Sequence, residues 1–396
     1  MRLPLFVASF ILVSCAPSNE EKSLRDFQQI HSNAIVIDSH SDFLDRSAID
    51  GSHINEDPLG AQTSLSKFKQ GGIDAQFFSV FVPPAYENFG FAKRTDALID
   101  RLQAEIASHP DEIVLALSSG DIHKLANSGK VAALIGIEGG HSIENEMRKL
   151  DHYYDRGVRY MTLTWANSLE WAGSSGDEGS HRGLSDFGKK VVAKMNDLGM
   201  MVDISHVSDA TFWDVIATSR SPVIASHSSL RSIAESPRNM SDDMIKAVGK
   251  NGGVVQINFY SQFVKREFLE EFDALKKKAE SKFKALKKKY KDDPINLDKE
   301  LWSLEKKIEL NVTPPTVNDL VKHIDKAVTL AGIDHVGLGS DFDGMGAPPK
   351  GIEHIGKMPN ITKELARRGY QQEEIEKILG GNLLRVLKEN ERLAQK

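Results

Sequence analysis

The stretch Ile35-Val36-Ile37-Asp38-Ser39-His40-Ser41-Asp42 opens as a short apolar run and closes on two polar side chains, His40 and Asp42. The apolar run is typical of a buried strand. Residues i and i+2 of an extended chain project to the same face, so this imidazole and this carboxylate can converge on one point. Both groups are good Zn²⁺ ligands, and burying them without a partner costs free energy. The pattern predicts a metal site at a strand end, although His-x-Asp alone also suits a helix N-cap or a turn.

The composition bounds the class of protein. The chain has 396 residues, of which 40% are hydrophobic and 27% charged, enough for one large α/β barrel or two ordinary domains. A formal net charge of −6 argues against a general nucleic-acid binder. The sequence contains no internal apolar run long enough to span a bilayer.

The first fifteen residues have the pattern of a secretion signal. Arg2 is followed by an apolar run over residues 3–13, then by Ser14 and Cys15. Because Leu12-Val13-Ser14-Cys15 resembles a bacterial lipobox, we expect residues 1–14 to be a signal peptide and residues 15–30 a lipidated N-terminus and tether. An ordinary secretory signal with an incidental cysteine is the alternative. The lipobox predicts a lipid-anchored protein of the bacterial cell envelope, in the periplasm or on the outer membrane.

Downstream, short apolar strands alternate with amphipathic helices. This alternation indicates a mainly parallel sheet, and eight or nine strands in one domain favour a closed (β/α)8 TIM-type barrel over an open sheet. We therefore predict an α/β protein with one barrel domain over residues 31–396, a loop over residues 45–66 and a helical tail over residues 361–388. The predicted strands are 35–37, 72–82, 113–117, 131–137, 157–164, 200–204, 222–225, 253–259 and 335–339.

One segment breaks the alternation. Between Lys265 and Glu309 there are 14 Lys or Arg residues and 11 Asp or Glu residues. Two narrow apolar stripes, separated by Asp293-Pro294, predict an antiparallel helical hairpin at about residues 262–312, inserted in one barrel loop. Such a hairpin can serve as a lid or a subunit contact, or its two helices can merely bury each other's stripes.

Polar side chains follow five of the predicted strands at the point where each strand ends, which is where barrel enzymes keep their chemistry. Each of these side chains alone also suits a core histidine, a helix cap or a turn. Together, three histidines and three carboxylates exceed the three protein ligands of a single catalytic zinc and suit a two-metal site with a bridging carboxylate. They are His40 with Asp42, Glu138, His206, His227 and Asp341.

Eight stretches, in collinear order over nearly the whole mature chain, carry a specific resemblance to a known family. The chain resembles the membrane (renal-type) dipeptidase family of zinc peptidases, peptidase family M19, within the amidohydrolase-like barrels of metal-dependent hydrolases. The stretches are Ile37–Asp42, Gly136–His141, Leu198–Ser208, Ala225–Ser229, Pro237–Asn239, Gln256–Tyr260, Gly337–Gly344 and Gly381–Arg385.

The resemblance implies an active site with two zinc ions in each subunit. His40 and Asp42 would bind one zinc, and His206 and His227 would bind the other. Glu138 would bridge both ions, together with a hydroxide that attacks the scissile carbonyl. Two zinc ions are suited to this role because they lower the pKa of a shared water towards neutrality.

The resemblance also implies roles beyond the metal ligands. Asp341 would be the general acid and base that carries the proton to the leaving amine. Arg238 would bind the C-terminal carboxylate of the substrate, a task suited to a bidentate guanidinium. Tyr260 and Trp165 are candidates for substrate contact. The family resemblance suggests a homodimer as well.

Trp165 is a departure from the family pattern. The family commonly has a histidine at this position, thought to help stabilise the oxyanion, and an indole cannot carry a proton or a positive charge. The alternatives for this role are His181, His141 or the zinc ions alone. We expect most other histidines, including His31 and His323, to be surface or loop residues.

Three functions remain open from the sequence. The first is a dizinc dipeptidase, tethered to the bacterial envelope, that cleaves dipeptides with a free C-terminus. The second is a related amidohydrolase acting on N-acyl amino acids or lactones, for which Arg238 would serve equally well. The third is a binding lipoprotein without activity, against which the six intact ligand positions argue.

Overall fold

The chain forms a ring of parallel strands surrounded by helices, as shown by a computed structural model that describes residues 27–177 and 182–395. The apolar runs of the sequence form the strands, since a strand covered on both faces needs apolar side chains on both. The strands are β1 (Ile37–Ser41), β2 (Ala75–Phe81), β3 (Ile113–Leu115), β4 (Val131–Glu138), β5 (Val158–Thr162), β6 (Met201–Asp203), β7 (Ile224–Ala225), β8 (Val254–Asn258) and β9 (Val336–Gly339).

Eight of these strands follow one another around the ring in the order β1-β2-β4-β5-β6-β7-β8-β9, and β3 pairs with β4 outside it. Every pairing is parallel. The ring closes next to the predicted site, where the Asp42 amide donates to the Phe342 carbonyl at 2.8 Å and the Asp341 amide donates to the His40 carbonyl at 3.1 Å. The predicted (β/α)8 barrel is confirmed.

The helices lie between the strands and after the last of them. They are α1 (Phe43–Asp50), α2 (Leu65–Gly71), α3 (Phe91–Ser108), α4 (Ser119–Ala126), α5 (Arg148–Asp155), α6 (Asp186–Leu198), α7 (Asp209–Thr218), α8 (Asp242–Asn251), α9 (Ser261–Val264), α10 (Arg266–Lys278), α11 (Glu280–Lys289), α12 (Pro294–Glu309), α13 (Val317–Ala331), α14 (Pro359–Arg367), α15 (Gln372–Glu376) and α16 (Asn382–Leu393). Among the described residues, none of these helices is long and apolar enough to cross a membrane.

The interior of the barrel is apolar at one end and polar at the other. Phe77, Leu134 and Met201 belong to a buried cluster that also includes Leu383 and Leu387 of α16, so the last helix covers the floor of the ring. The polar side chains lie at the opposite end, at the carboxyl ends of the strands. The apolar side chains at the floor stabilise the barrel, and the polar side chains at the upper rim are available for chemistry.

A glycine makes room for one large residue inside the ring. A Cβ on Gly136 of β4 would lie 2.0 Å from the ring of Tyr160 on β5. Tyr160 is fully buried, and its ring crosses the barrel interior to the end of β1. Gly136 is therefore required by close packing, and it allows the Tyr160 hydroxyl to reach His40.

One local prediction was wrong. The segment 45–66 is not a loop throughout, because α1 begins directly after Asp42 and α2 is capped by the Ser64 side chain. The tail is helical as predicted, and it is divided into α14, α15 and α16, with a π-type turn before α16.

The segment predicted as a helical hairpin contains α10, α11 and α12. α10 and α11 form one arm, interrupted at Ala279, and both contact α12, which forms the other arm. Phe268 and Phe272 of α10 pack against Ile308 of α12. The signal peptide, Cys15 and His181 lie outside the described residues.

Candidate metal centre and substrate pocket

Four strand ends bring the predicted metal ligands to one point of the rim. His40 lies within β1, Glu138 is the last residue of β4, and His206 and His227 follow β6 and β7. His40 and His227 are buried and their rings stack with centroids 3.7 Å apart. Because the carboxyl ends of parallel strands meet at one edge, residues separated by up to 187 positions become neighbours here.

The Glu138 carboxylate divides its two oxygens between two groups. Its Oε2 lies 3.4 Å from His40 Nε2. Its Oε1 lies 2.9 Å from His206 Nε2 and 3.4 Å from His227 Nε2. On the His40 side, Asp42 Oδ1 lies 3.6 Å from the same Nε2 atom. A carboxylate between two ligand groups in this way has the arrangement of a bridging ligand.

These separations fit metal ions held between the side chains. Two ligand atoms on one tetrahedral zinc, each about 2.1 Å from it, lie roughly 3.4 Å apart. Among the described residues, His40 Nε2 and Asp42 Oδ1 have no hydrogen-bond partner although both atoms are buried. Buried polar atoms without partners are costly, and a cation between them would remove that cost.

The charges of the cluster favour the metal-binding forms of Glu138, His206 and His227, but not of His40. Burial lowers the pKa of His40, yet the charges of Tyr160, Glu138 and Asp42 raise it well above its usual value. Burial opposes ionisation of Glu138, but the charge of His40 and hydrogen bonds from the histidines hold the pKa of its carboxyl well below the usual range. Burial lowers the pKa of His227 well below its usual value, and also lowers the pKa of His206. An ionised carboxylate and neutral imidazoles are the ligand forms that Zn²⁺ requires.

Hydrogen bonds behind two of the histidines set their tautomers. The Tyr160 hydroxyl donates to the Ser39 carbonyl at 3.1 Å, so it accepts from His40 Nδ1 at 2.9 Å. The Ser226 hydroxyl donates to Asp203 Oδ2 at 2.6 Å and accepts from His227 Nδ1 at 2.7 Å. These bonds favour a proton on Nδ1 of both rings, so that Nε2, once it has lost its own proton, would offer its lone pair to a metal ion.

Asp341 lies beside the His40 half of the cluster. Its Oδ2 accepts from Asn258 Nδ2 at 2.9 Å, and its backbone has a φ of 64°, in the left-handed region. Burial, together with the charge of Asp42, raises the pKa of Asp341 to about 7. A carboxyl group with such a pKa can both take up and release a proton near neutral pH. Its carboxylate also lies close enough to His40 and Asp42 to form a ligand group with them.

A cavity of about 790 Å³ opens above these residues, and Arg238 lies in its wall. The guanidinium donates to the Ser228 hydroxyl at 2.8 Å and to the His227 carbonyl at 2.6 Å. Within the described part of the chain its Nε has no partner. Arg238 is thus fixed beside the His227 side of the metal cluster with donor capacity left for a carboxylate.

The two aromatic candidates also line the cavity, but in different ways. The Trp165 ring packs on Phe81, with centroids 4.7 Å apart, and lies 6.4 Å from the His206 ring. The Tyr260 hydroxyl donates to Glu309 of α12 and accepts from Gln262 at 2.8 Å. Tyr260 therefore offers its ring to the cavity, while its hydroxyl holds the hairpin.

His141 is not placed to replace a histidine at position 165. Its Nε2 bonds to the Val82 carbonyl at 2.8 Å, and its ring packs edge-on against Phe91. The prediction that His31 and His323 are surface or loop residues was also wrong. Both are buried: His31 bonds to Thr362 and the Gly71 carbonyl, and His323 bonds to Leu230 and Val264.

Two buried aspartates behind the ligands were missed by the sequence analysis. Asp38 accepts from the Ser340 amide and hydroxyl, each at 2.7 Å, and ties β1 to the loop that carries Asp341. Asp203 accepts from the amides of Ser205 and Ser226 and so ties the His206 loop to the His227 loop. Burial raises the pKa of Asp38 to about 6. The sequence shows the Asp-x-His spacing of Asp38 and the Asp-x-Ser-His spacing of Asp203. It does not show which loops these two carboxylates connect.

Comparison with known proteins gives consistent similarities. The profile of the membrane dipeptidase family, peptidase family M19, matches residues 24–396. A Schizosaccharomyces pombe protein named an uncharacterized dipeptidase is 33% identical over 398 residues, which cover 95% of this chain and 85% of that protein. Dipeptidase 3 of Rattus norvegicus is 32% identical over 340 residues, covering 85% of this chain but 60% of the rat protein.

A solved structure with a similar fold is that of the probable dipeptidase PvdM from Pseudomonas aeruginosa. It superimposes with a TM-score of 0.81 at 27% identity, covering 94% of this chain and 100% of that chain. The similarity therefore extends over the whole barrel and is not confined to the rim.

The bond behind His40 yields a prediction about metal affinity. Tyr160→Phe removes the acceptor of the His40 Nδ1 proton while keeping the ring that fills the barrel. We expect zinc affinity, measured by competition with a chelator, to fall about 10–100-fold, as for other partners of metal-bound histidines. Tyr370→Phe is the matched control, because that hydroxyl bonds to Asp325 on the outer helices. Unchanged affinity in Tyr160→Phe would show that the tautomer does not depend on this bond.

Proposed function

The chain belongs to the membrane dipeptidase family, peptidase family M19, and on this premise we propose that it is a zinc-dependent metallodipeptidase. Its substrates are dipeptides with a free C-terminal carboxylate. The observation that carries the proposal is the position of Glu138, which turns one oxygen to His40 and the other to His206 and His227. Such a carboxylate serves two metal ions at once.

The residues of the site have separate roles in hydrolysis. Zinc ions held by the histidines, Asp42 and Glu138 would supply a water of lowered pKa and polarise the scissile carbonyl. Arg238 binds the substrate's carboxylate and so orients the peptide bond over the cluster. Asp341 takes up a proton from the attacking water and delivers it to the leaving amine. Trp165 and Tyr260 enclose the substrate and exclude bulk water.

The proposal is tested by a substrate panel. The purified protein, loaded with zinc, is assayed on L,L-dipeptides, dipeptides with a D-residue at the second position, N-acyl amino acids and lactones. We expect hydrolysis of dipeptides, with two zinc ions bound per chain by elemental analysis. C-terminally amidated dipeptides are the matched control, and they should react poorly because Arg238 loses its carboxylate. Activity on N-acyl amino acids or lactones alone would establish the related amidohydrolase instead.

A second prediction concerns the proton carrier. Asp341→Asn should lower kcat on a dipeptide by about 10²–10⁴-fold, the range typical of lost general acid–base catalysis, and leave the zinc content unchanged. Asp243→Asn, in an exposed residue of α8, controls for the substitution itself. Loss of one zinc ion from Asp341→Asn would instead make Asp341 a ligand, and surviving turnover would remove it from the mechanism.

The proposal extends to the location of the protein. The N-terminal pattern of Arg2, an apolar run and Cys15 supports a signal peptide with a lipidated cysteine, and hence a lipid-anchored protein of the bacterial cell envelope. The family resemblance supports a homodimer in which each subunit has its own site.

Lipidation is tested by changing its acceptor. Cys15→Ser should move the protein from the membrane fraction of a bacterial expression host to the soluble fraction, with dipeptidase activity retained. Ser14→Ala is the control, since it leaves the thiol in place. Continued membrane attachment of Cys15→Ser would contradict the lipid anchor.

A further inference from the structure

The charged hairpin lies over the proposed active site. Its three helices, α10, α11 and α12, are called the roof here. Side chains from all three line the same cavity as the metal ligands, among them Lys276 of α10, Glu280 of α11 and Leu301 of α12. The alternative that the hairpin merely buries its own stripes does not account for these positions.

A buried carboxylate holds the roof in place. Glu309, at the end of α12, is 1% exposed. Its Oε1 accepts from the Tyr260 hydroxyl and from Gln262 Nε2 at 2.9 Å, both after β8. Its Oε2 accepts from the backbone amides of Gly346 at 2.7 Å and Ala347 at 3.0 Å, both after β9. The roof is therefore joined to the two loops that border Asp341.

One face of α12 looks into the cavity. Asp298, Leu301, Trp302 and Glu305 all line it, and their spacing of three, one and three residues is that of a single helical face. Leu304, by contrast, packs against the cluster of Phe268 and its neighbours. Leu301 and Trp302 thus present partly exposed apolar surface to the substrate space.

The position of α12 relative to Arg238 indicates which part of a substrate lies below it. Arg238 is bonded to residues that follow β7, the sixth strand of the ring. α12 contacts α1 and the turn Pro84–Tyr86, which follow the first and second strands. The second and sixth strands are diametrically opposite in a ring of eight. A substrate held by its carboxylate at Arg238 would therefore extend its N-terminal residue towards the part of α12 that contacts α1 and the turn Pro84–Tyr86, and not towards Glu309 at the other end of the helix.

Apolar surface continues below the roof. Trp165, at the position where the family commonly has a histidine, packs against Phe81 on the neighbouring wall, with the ring planes tilted by 48°. The ion pair of Lys276 with Glu305, at 2.6 Å, satisfies two of the roof's charges. Asp298 also faces the cavity, and the nearby Arg94 opposes the rise in its pKa that burial causes.

From this arrangement we infer that the roof is a specificity-determining element, with Leu301 and Trp302 forming a subsite for a large apolar side chain on the N-terminal residue of the dipeptide. The inference rests on the proposed dipeptidase function and names its substrate class. Burial of such a side chain against the indole and the leucine favours binding, whereas glycine at the first position gains nothing from them.

The test compares dipeptides that differ only in the first residue. For Phe-Ala and Leu-Ala, Trp302→Ala and Leu301→Ala should each lower kcat/KM about tenfold, while kcat/KM for Gly-Ala stays within about twofold, as expected when apolar contacts to one side chain are removed. Trp302→Phe should retain most of the preference. Ile295→Ala is the control, because Ile295 is an exposed residue of the same helix. Zinc content and thermal unfolding establish that each variant is folded.

The outcomes separate the two proposals. If the parent protein with two bound zinc ions hydrolyses no dipeptide, the dipeptidase function fails and the subsite fails with it. If dipeptides are hydrolysed but Trp302→Ala and Leu301→Ala change all substrates equally, or none, the subsite alone is wrong. A preference of the parent protein for lysine or arginine at the first position would assign this end of the cavity to Asp298 instead.

Discussion

The structure depends on one electrostatic constraint, which is the burial of Glu138 among three imidazoles at the rim of the barrel. A carboxylate and three histidines in an apolar surrounding lose much of their hydration, and hydrogen bonds within the cluster leave buried atoms of His40 and Asp42 without partners among the described residues. Divalent cations would supply the missing partners. Metal binding would then also stabilise this rim, because ions that bind the folded chain preferentially stabilise it.

The backbone at the rim is itself strained. His206 and Asp341 have φ values of 65° and 64°, and a non-glycine residue in this region costs about 1–3 kcal/mol. Buried aspartates hold these conformations: Asp38 binds the loop of Asp341, and Asp203 binds the loops of His206 and His227. Each carboxylate accepts from backbone amides and hydroxyls of a neighbouring loop. Hydrogen bonds between adjacent loops therefore fix the positions of the candidate ligands. Burial of the apolar side chains at the floor of the barrel offsets the free-energy cost of this backbone strain.

The roof shows how an insertion can contribute to a site without any ligand of its own. Its surface is highly charged, yet its attachment includes a buried carboxylate, Glu309, and an apolar cluster that includes Phe268 and Phe272. Because Glu309 accepts from loops after both β8 and β9, the roof and the loop of Asp341 are mechanically connected. The hydroxyl of Tyr260 belongs to this attachment, which explains why its ring, rather than its hydroxyl, faces the cavity.

Much of this protein follows from its sequence, and the rest required the folded chain. Alternating apolar runs predicted the parallel barrel, because this pattern is local and periodic. Ligand-type side chains at the strand ends predicted the residues that the structure brings together in the candidate metal centre. The sequence did not reveal α1, the buried positions of His31 and His323, or the roles of Asp38, Asp203 and Glu309. Those depend on contacts between residues far apart in the chain, such as Asp38 with Ser340, 302 positions apart. Which face of α12 lines the cavity was likewise decided by tertiary packing. Both apolar faces of this helix have helical spacing, and only the residues packed against each face distinguish them.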